Sequence, residues 1–135
     1  MILVDTSVLV GFLNGQANEK VQLFEAVLSR EIPFGISEYT YQEVLQGARD
    51  EKEFKQLKEY LSAQKIYFLP EGVASYEKAA RLYFGLRRKG VTPRSTIDIL
   101  IALTAIDNRL LLLHNDRDFD TMAEKVDELQ IFMNI

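Results

Sequence analysis

Short apolar runs alternate along this chain with longer stretches whose apolar residues recur every three or four positions. Ile2–Val4, Phe34–Ile36, Ile66–Leu69, Leu110–Leu113 and Ile131–Phe132 have the length of buried strands. Between them the spacing predicts helices: a short one over Val8–Leu13, then Glu19–Leu28 with Val21, Phe24, Val27 and Leu28 on one face. Ser37 is a good N-cap for a helix carrying Glu43, whose apolar face is Tyr41, Val44, Leu45 and Ala48. Further helices are predicted over Glu53–Ala63, Ala74–Lys89, Thr96–Asn108 and Asp116–Lys125, with Gly90 stopping the third-from-last chain segment and Pro93 preceding the next. Strands alternating with helices predict an α/β fold: a three-layer α/β/α sandwich around a central parallel sheet of about five strands. Ligands of such sheets sit beyond the C-terminal ends of the strands.

Four acids interrupt this pattern. Asp5 follows Ile2–Val4 without a spacer, Glu43 lies in the second turn of its helix, Asp98 opens a helix apolar nearly all round, and Asp116 follows the run of leucines. An unpaired buried carboxylate is expensive, so such positions need compensation. Each also has a local reading. Asp5 suits a helix N-cap, and Glu43 an ordinary solvated helix acid. Ser95-x-x-Asp98 is close to a capping box, and Asn115 or Asp116 suits the cap of the last helix. Ala102 and Ala105 share the face of Asp98, so small side chains there would let its helix approach the sheet. Asp118 is a fifth ligand or a supporting residue, and Asp120 reads as solvated. Thr6 or Ser7 could hydrogen-bond Asp5 or cap the first helix.

If the fold gathers these acids, the chemistry follows from ligand type. Carboxylates without sulfur suit Mg²⁺ or Mn²⁺, one ion or two. Such ions activate water and stabilise an in-line phosphoryl displacement. Composition sets bounds on this reading. The 135 residues suggest one domain, residues 1–135, burying roughly two-thirds of its unfolded surface. The chain has no cysteine, which excludes disulfides, zinc–thiolate sites and cysteine nucleophiles and is compatible with a reducing cytoplasm. Neither a signal peptide nor a membrane span is evident, so a cytoplasmic location is expected. A net charge of −4 counts against a broad basic face for duplex DNA. A local basic patch at Arg87, Arg88, Lys89 and Arg94 could still grip phosphate, although cations also suit a helix C-terminus. His114, the single histidine, is a weak general-base candidate.

The blocks MILVDTSVLV, YTYQEVLQGA, STIDILIALTA and LLLLHNDRDFD together resemble the PIN domain, and more narrowly the VapC toxins of prokaryotic toxin–antitoxin pairs. The resemblance spans nearly the whole chain. It implies a PIN-like α/β/α fold and a Mg²⁺-dependent endoribonuclease that leaves a 5′-phosphate and a 3′-hydroxyl. Its acidic residues carry over to Asp5, Glu43, Asp98 and Asp116, with Asp118 in the D-F pair and the supporting hydroxyl at Thr6 or Ser7. It also implies a homodimer and a small VapB-like antitoxin. His114 departs from the family, where threonine is common. A stand-alone PIN nuclease in RNA processing, or a catalytically silent partner-binding module, are the alternatives. A haloacid-dehalogenase phosphatase would need an acid where Ser7 stands. A receiver domain would need paired early acids and a late lysine, and neither is present.

Overall fold

The computed structural model describes residues 1–135. Its strands are β1 (Ile2–Val4), β2 (Phe34–Ser37), β3 (Lys65–Tyr67), β4 (Leu111–Leu113) and β5 (Gln130–Ile131). All pairings are parallel, in the order β3-β2-β1-β4-β5. The helices are α1 (Thr6–Leu13), α2 (Glu19–Ser29), α3 (Glu38–Gln46), α4 (Glu51–Ser62), α5 (Val73–Arg88), α6 (Thr96–Asp107) and α7 (Arg117–Lys125). No helix is long and apolar enough to cross a membrane.

Alternation along the strands divides the interior in two, because successive side chains point to opposite faces. Leu3 and Leu112 join residues of α5, α6 and α7, including Leu86, Leu103 and Phe119, in one cluster. Ile2, Val4, Ile36 and Leu113 join residues of α1 to α4, including Leu9, Phe24, Val44 and Leu61, in the other. The result is the expected α/β/α sandwich. Helix α6 buries Ile99 through Ala105 continuously, as its all-round apolar sequence requires.

The chain moves outward from β1 to β2 and β3, then returns past β1 to β4 and β5. The order therefore reverses between β1 and β4, the place where parallel sheets open a crevice at their C-terminal ends. Asp5 N–H donates to Leu113 O at 2.9 Å, which carries the β1–β4 ladder up to the first acid.

Several boundaries differ from the sequence expectation. Helix α1 begins at Thr6 rather than near Val8, because Asp5 itself caps it by accepting from Ser7 N–H. β3 ends at Tyr67, before Pro70 closes the segment. Phe132 lies outside β5, yet its N–H still donates to Leu112 O at 2.8 Å.

Candidate metal-ion centre

The acids reach the β1–β4 crevice from four elements. Asp5 follows β1 directly as the N-cap of α1, and Asp116 follows β4 as the N-cap of α7. Glu43 lies in α3, which follows β2 directly, and Asp98 lies in the first turn of α6.

Asp5 is almost fully buried, at 4% exposure. Its Oδ2 accepts from Ser7 N–H at 3.0 Å and from Ser7 Oγ at 2.6 Å. Ser7 Oγ in turn accepts from Asn115 N–H at 2.9 Å, tying the loop after β4 to the first turn of α1. Burial pushes the Asp5 carboxyl up from its ordinary range, and the charge of Glu43 adds to that; the Ser7 hydrogen bonds oppose it.

Glu43 is served by the neighbouring hydroxyl. Thr6 Oγ1 donates to Glu43 Oε1 at 2.6 Å and lies 3.0 Å from Thr40 Oγ1. Thr40 is buried one helical turn before Glu43, and its N–H donates to the Ser37 cap at 3.0 Å. The sequence reading left the supporting hydroxyl open between Thr6 and Ser7. Each has its own acid, because adjacent helical residues point about 100° apart. Thr40 was missed altogether. Its i, i+3 relation to Glu43 was the available signal.

Asp98, Asp116 and Asp118 form the tightest group. One carboxylate oxygen from each lies within 4.8 Å of the others. Asp116 Oδ1 accepts from Asp118 N–H at 2.9 Å, a cap that also fixes the spacing of the pair. The capping box expected at Ser95 is not made: Ser95 is the N-cap by position, but its side chain forms no cap hydrogen bond. The Asp98 carboxyl is pushed up to about 7, first by burial and then by the charges of Asp5, Asp116, Glu43 and Asp118. The charges of all four other acids therefore reach Asp98, although Asp5 and Glu43 stand outside the close trio.

Arg94 sits beside this trio. Its Nε donates to Asp118 Oδ2 at 3.2 Å, and Nη2 lies 3.8 Å from Asp116 Oδ1. Arg87 and Arg88 lie in the last turn of α5, stacked over Tyr83 and Phe84 at 5.8 and 5.6 Å. Neither forms an ion pair with the acids.

His114 is buried at 1% exposure and serves structure rather than facing solvent. Nδ1 accepts from Asp116 N–H at 3.0 Å, which leaves the proton on Nε2, 3.1 Å from Asp120 Oδ1. Burial holds its pKa below the ordinary histidine value. Asp120, read from the sequence as merely solvated, is thus the partner of a buried ring nitrogen.

Comparisons with known proteins identify the family and the fold. The family model for the PIN domain matches residues 2–125. The chain is 31% identical over 124 residues to VapC ribonuclease Mb1587 of Mycobacterium bovis, covering 91% of this chain and 92% of that protein. Ribonuclease VapC11 of Mycobacterium tuberculosis matches to the same extent. Among solved structures, VapBC2 from Rickettsia felis, bound to a DNA fragment from its promoter, superposes with a TM-score of 0.74 at 19% identity, covering 98% of each chain. FitAcB from Neisseria gonorrhoeae gives 0.73 at 23% identity, covering 98% of this chain and 97% of that one.

Proposed function

Because the chain belongs to the PIN domain family, we propose that it is a metal-dependent endoribonuclease, the toxin of a VapBC-type pair, with residues 1–135 acting as one nuclease domain. The observation that carries this reading is the convergence of Asp98, Asp116 and Asp118 within 4.8 Å, where the charges of Asp5 and Glu43 also reach Asp98. The donor set fits a hard divalent ion: it is all carboxylate, and the chain has no thiol. Mg²⁺ is the natural occupant, with Mn²⁺ able to replace it. The Asp98 carboxyl is raised first by burial and then by four neighbouring negative charges, and a bound cation would offset those charges.

Asp98, Asp116 and Asp118 would hold the ion, with Asp5 contributing its charge at the same crevice. A divalent ion there supplies Lewis-acid chemistry: it makes water nucleophilic at neutral pH and stabilises charge on the phosphate. The protein's own groups set the geometry. Ser7 fixes Asp5 and the Asn115 backbone together, and Thr6 fixes Glu43 Oε1. Glu43 Oε2 is then left to take a proton from the attacking water. Hydrolysis in this sense leaves a 5′-phosphate and a 3′-hydroxyl.

The proposed compartment is the cytoplasm, where cellular RNA is met. The partner is a small VapB-like antitoxin, and the toxin itself forms a homodimer; purification from the native host tests both, as a complex with a second, shorter chain. The reading of the site is tested by RNA cleavage with and without EDTA. Cleavage should stop with EDTA, return with Mg²⁺ or Mn²⁺, and be absent in Asp98→Asn. EDTA-resistant cleavage, or wild-type activity in a folded Asp98→Asn protein, overturns it.

A further inference from the structure

The segment between α5 and α6 delivers one cation to the acid cluster. Arg94 Nε and its backbone N–H both donate to Asp118 Oδ2, at 3.2 and 3.3 Å. Its guanidinium also lies 3.8 Å from Asp116 Oδ1, the oxygen that accepts from Asp118 N–H. No lysine or other arginine pairs with any of the five site acids. Two of the three carboxylates that would hold an ion are therefore already engaged by Arg94.

That engagement is weak by construction. The Arg94 side chain is 79% exposed, and exposed ion pairs contribute little in water. It is also insufficient, since one guanidinium faces three crowded carboxylates and Asp98 accepts none of its hydrogen bonds. The backbone N–H bond to Asp118 does not depend on the side chain, so the segment stays anchored if the guanidinium leaves. A released guanidinium would stand at the rim of a site that acts on a phosphodiester. Its planar fork matches phosphate oxygens better than any other side chain does.

We propose that Arg94 is an exchangeable counter-cation: it pairs with Asp118 and Asp116 in the metal-free protein, yields them when a divalent ion binds, and then grips a phosphate of the RNA. This rests on the reading of the acid trio as the metal site. It assigns opposite effects to a single residue, weakening metal uptake and strengthening substrate binding. A residue that merely shapes the loop cannot do both.

The test is calorimetric titration of the whole chain with Mn²⁺, for wild type, Arg94→Gln, Arg94→Lys and Asp98→Asn at one ionic strength, together with KM for a short fluorogenic RNA. Arg94→Gln should bind Mn²⁺ about three- to fivefold more tightly, the scale of an exposed ion pair. Its KM should rise by about tenfold, the scale of a charge-assisted contact. Arg94→Lys, with the charge but not the fork, should bind Mn²⁺ within about twofold of wild type. Unchanged or weaker Mn²⁺ binding in Arg94→Gln overturns the exchange. Tighter binding with an unchanged KM removes the transfer to RNA, and the proposal with it. If wild type takes up no Mn²⁺, or Asp98→Asn takes it up undiminished, the metal-site reading falls first, a pattern distinct from either Arg94 outcome.

Discussion

Asp5 and Glu43 are each held by a hydroxyl from the first turn of α1, whereas Asp98, Asp116 and Asp118 crowd together beside a single exposed guanidinium. The first pair finds its hydrogen-bond donors inside the fold. Ser7 and Thr6 donate short hydrogen bonds to Asp5 and Glu43, and those from Ser7 oppose the burial that pushes the Asp5 carboxyl up. The trio has no such donors on Asp98, and burial, followed by the charges of Asp5, Asp116, Glu43 and Asp118, raises that carboxyl to about 7. One half of the site is therefore organised by hydrogen bonds within the fold, and the other, on the proposed reading, would be completed by a cation. The comparison explains why a single crevice contains both satisfied and unsatisfied acids.

The largest effects come from removing a carboxylate from either half. Asp5→Asn and Asp98→Asn should each lower Mg²⁺-dependent RNA cleavage by at least about a hundredfold, a loss of transition-state stabilisation typical for one charged group in a site. The two differ in the absence of metal. Asp98→Asn removes a charge the fold does not compensate, so its thermal midpoint in EDTA should match or exceed that of wild type. A clear loss of stability in Asp98→Asn, measured by thermal denaturation at pH 8, would place it in the organised half.

Next come the hydroxyls. Ser7→Ala removes the donor to Asp5 and the acceptor for Asn115 N–H together, while Thr6→Val removes only the donor to Glu43. Supporting groups of this kind change activity by about 10–100-fold. Ser7→Ala should fall near the upper end and Thr6→Val near the lower, read from kcat at saturating Mg²⁺. Equal losses would mean that the link to the β4 loop contributes nothing.

A smaller effect separates the halves by pH. Asp98 titrates near 7 in the folded protein and near 3.8 when unfolded, so the folded state holds its proton more tightly. Stability of the metal-free protein should then decrease as pH rises from about 4 to about 7 and level off above. Allowing for solvent screening of a half-buried group, the fall is about 3–6 °C in midpoint. It should vanish in Asp98→Asn and shrink with saturating Mg²⁺. An unchanged slope in Asp98→Asn would assign the titration to other acids.

Much of this arrangement was legible in the sequence. Apolar runs located the strands, and the helix around Asp98 could be read as buried because no face of it was polar. What escaped were contacts between distant segments. Nothing local tells that Thr6 meets Glu43 rather than Asp5, since the two hydroxyls are adjacent in sequence and diverge only once α1 is placed against α3. The Arg94–Asp118 pair likewise joins segments that only α6 and α7 bring together. The capping-box pattern at Ser95 misled because a cap is one use of an acid at that position, and here Asp98 is turned among other carboxylates. The burial of His114 was hidden too, since it depends on the packing of Phe119 at 5.1 Å and on α7 folding back over the ring.

That ring provides the finest test, because it is the one neutral support within the crowded half. Its Nδ1 accepts from Asp116 N–H only while unprotonated, and its Nε2–H depends on Asp120. Asp120→Asn keeps an acceptor oxygen and should change stability by no more than about 0.5 kcal/mol. Asp120→Ala leaves a buried ring N–H without a protein partner and should cost about 1–2 kcal/mol, with cleavage lowered less than about threefold. The pH signature runs opposite to that of Asp98. Burial already holds the folded His114 pKa below its unfolded value of 6.5, so stability is lost as pH falls beneath 6.5. Removing the Asp120 charge, which raises that pKa, widens the window of loss on the acid side. Thermal midpoints of Asp120→Ala and wild type should therefore diverge as pH drops from 7 to about 5. Parallel curves would show that Asp120 does not act through the ring, and the crowded half would then have no internal support beyond its caps.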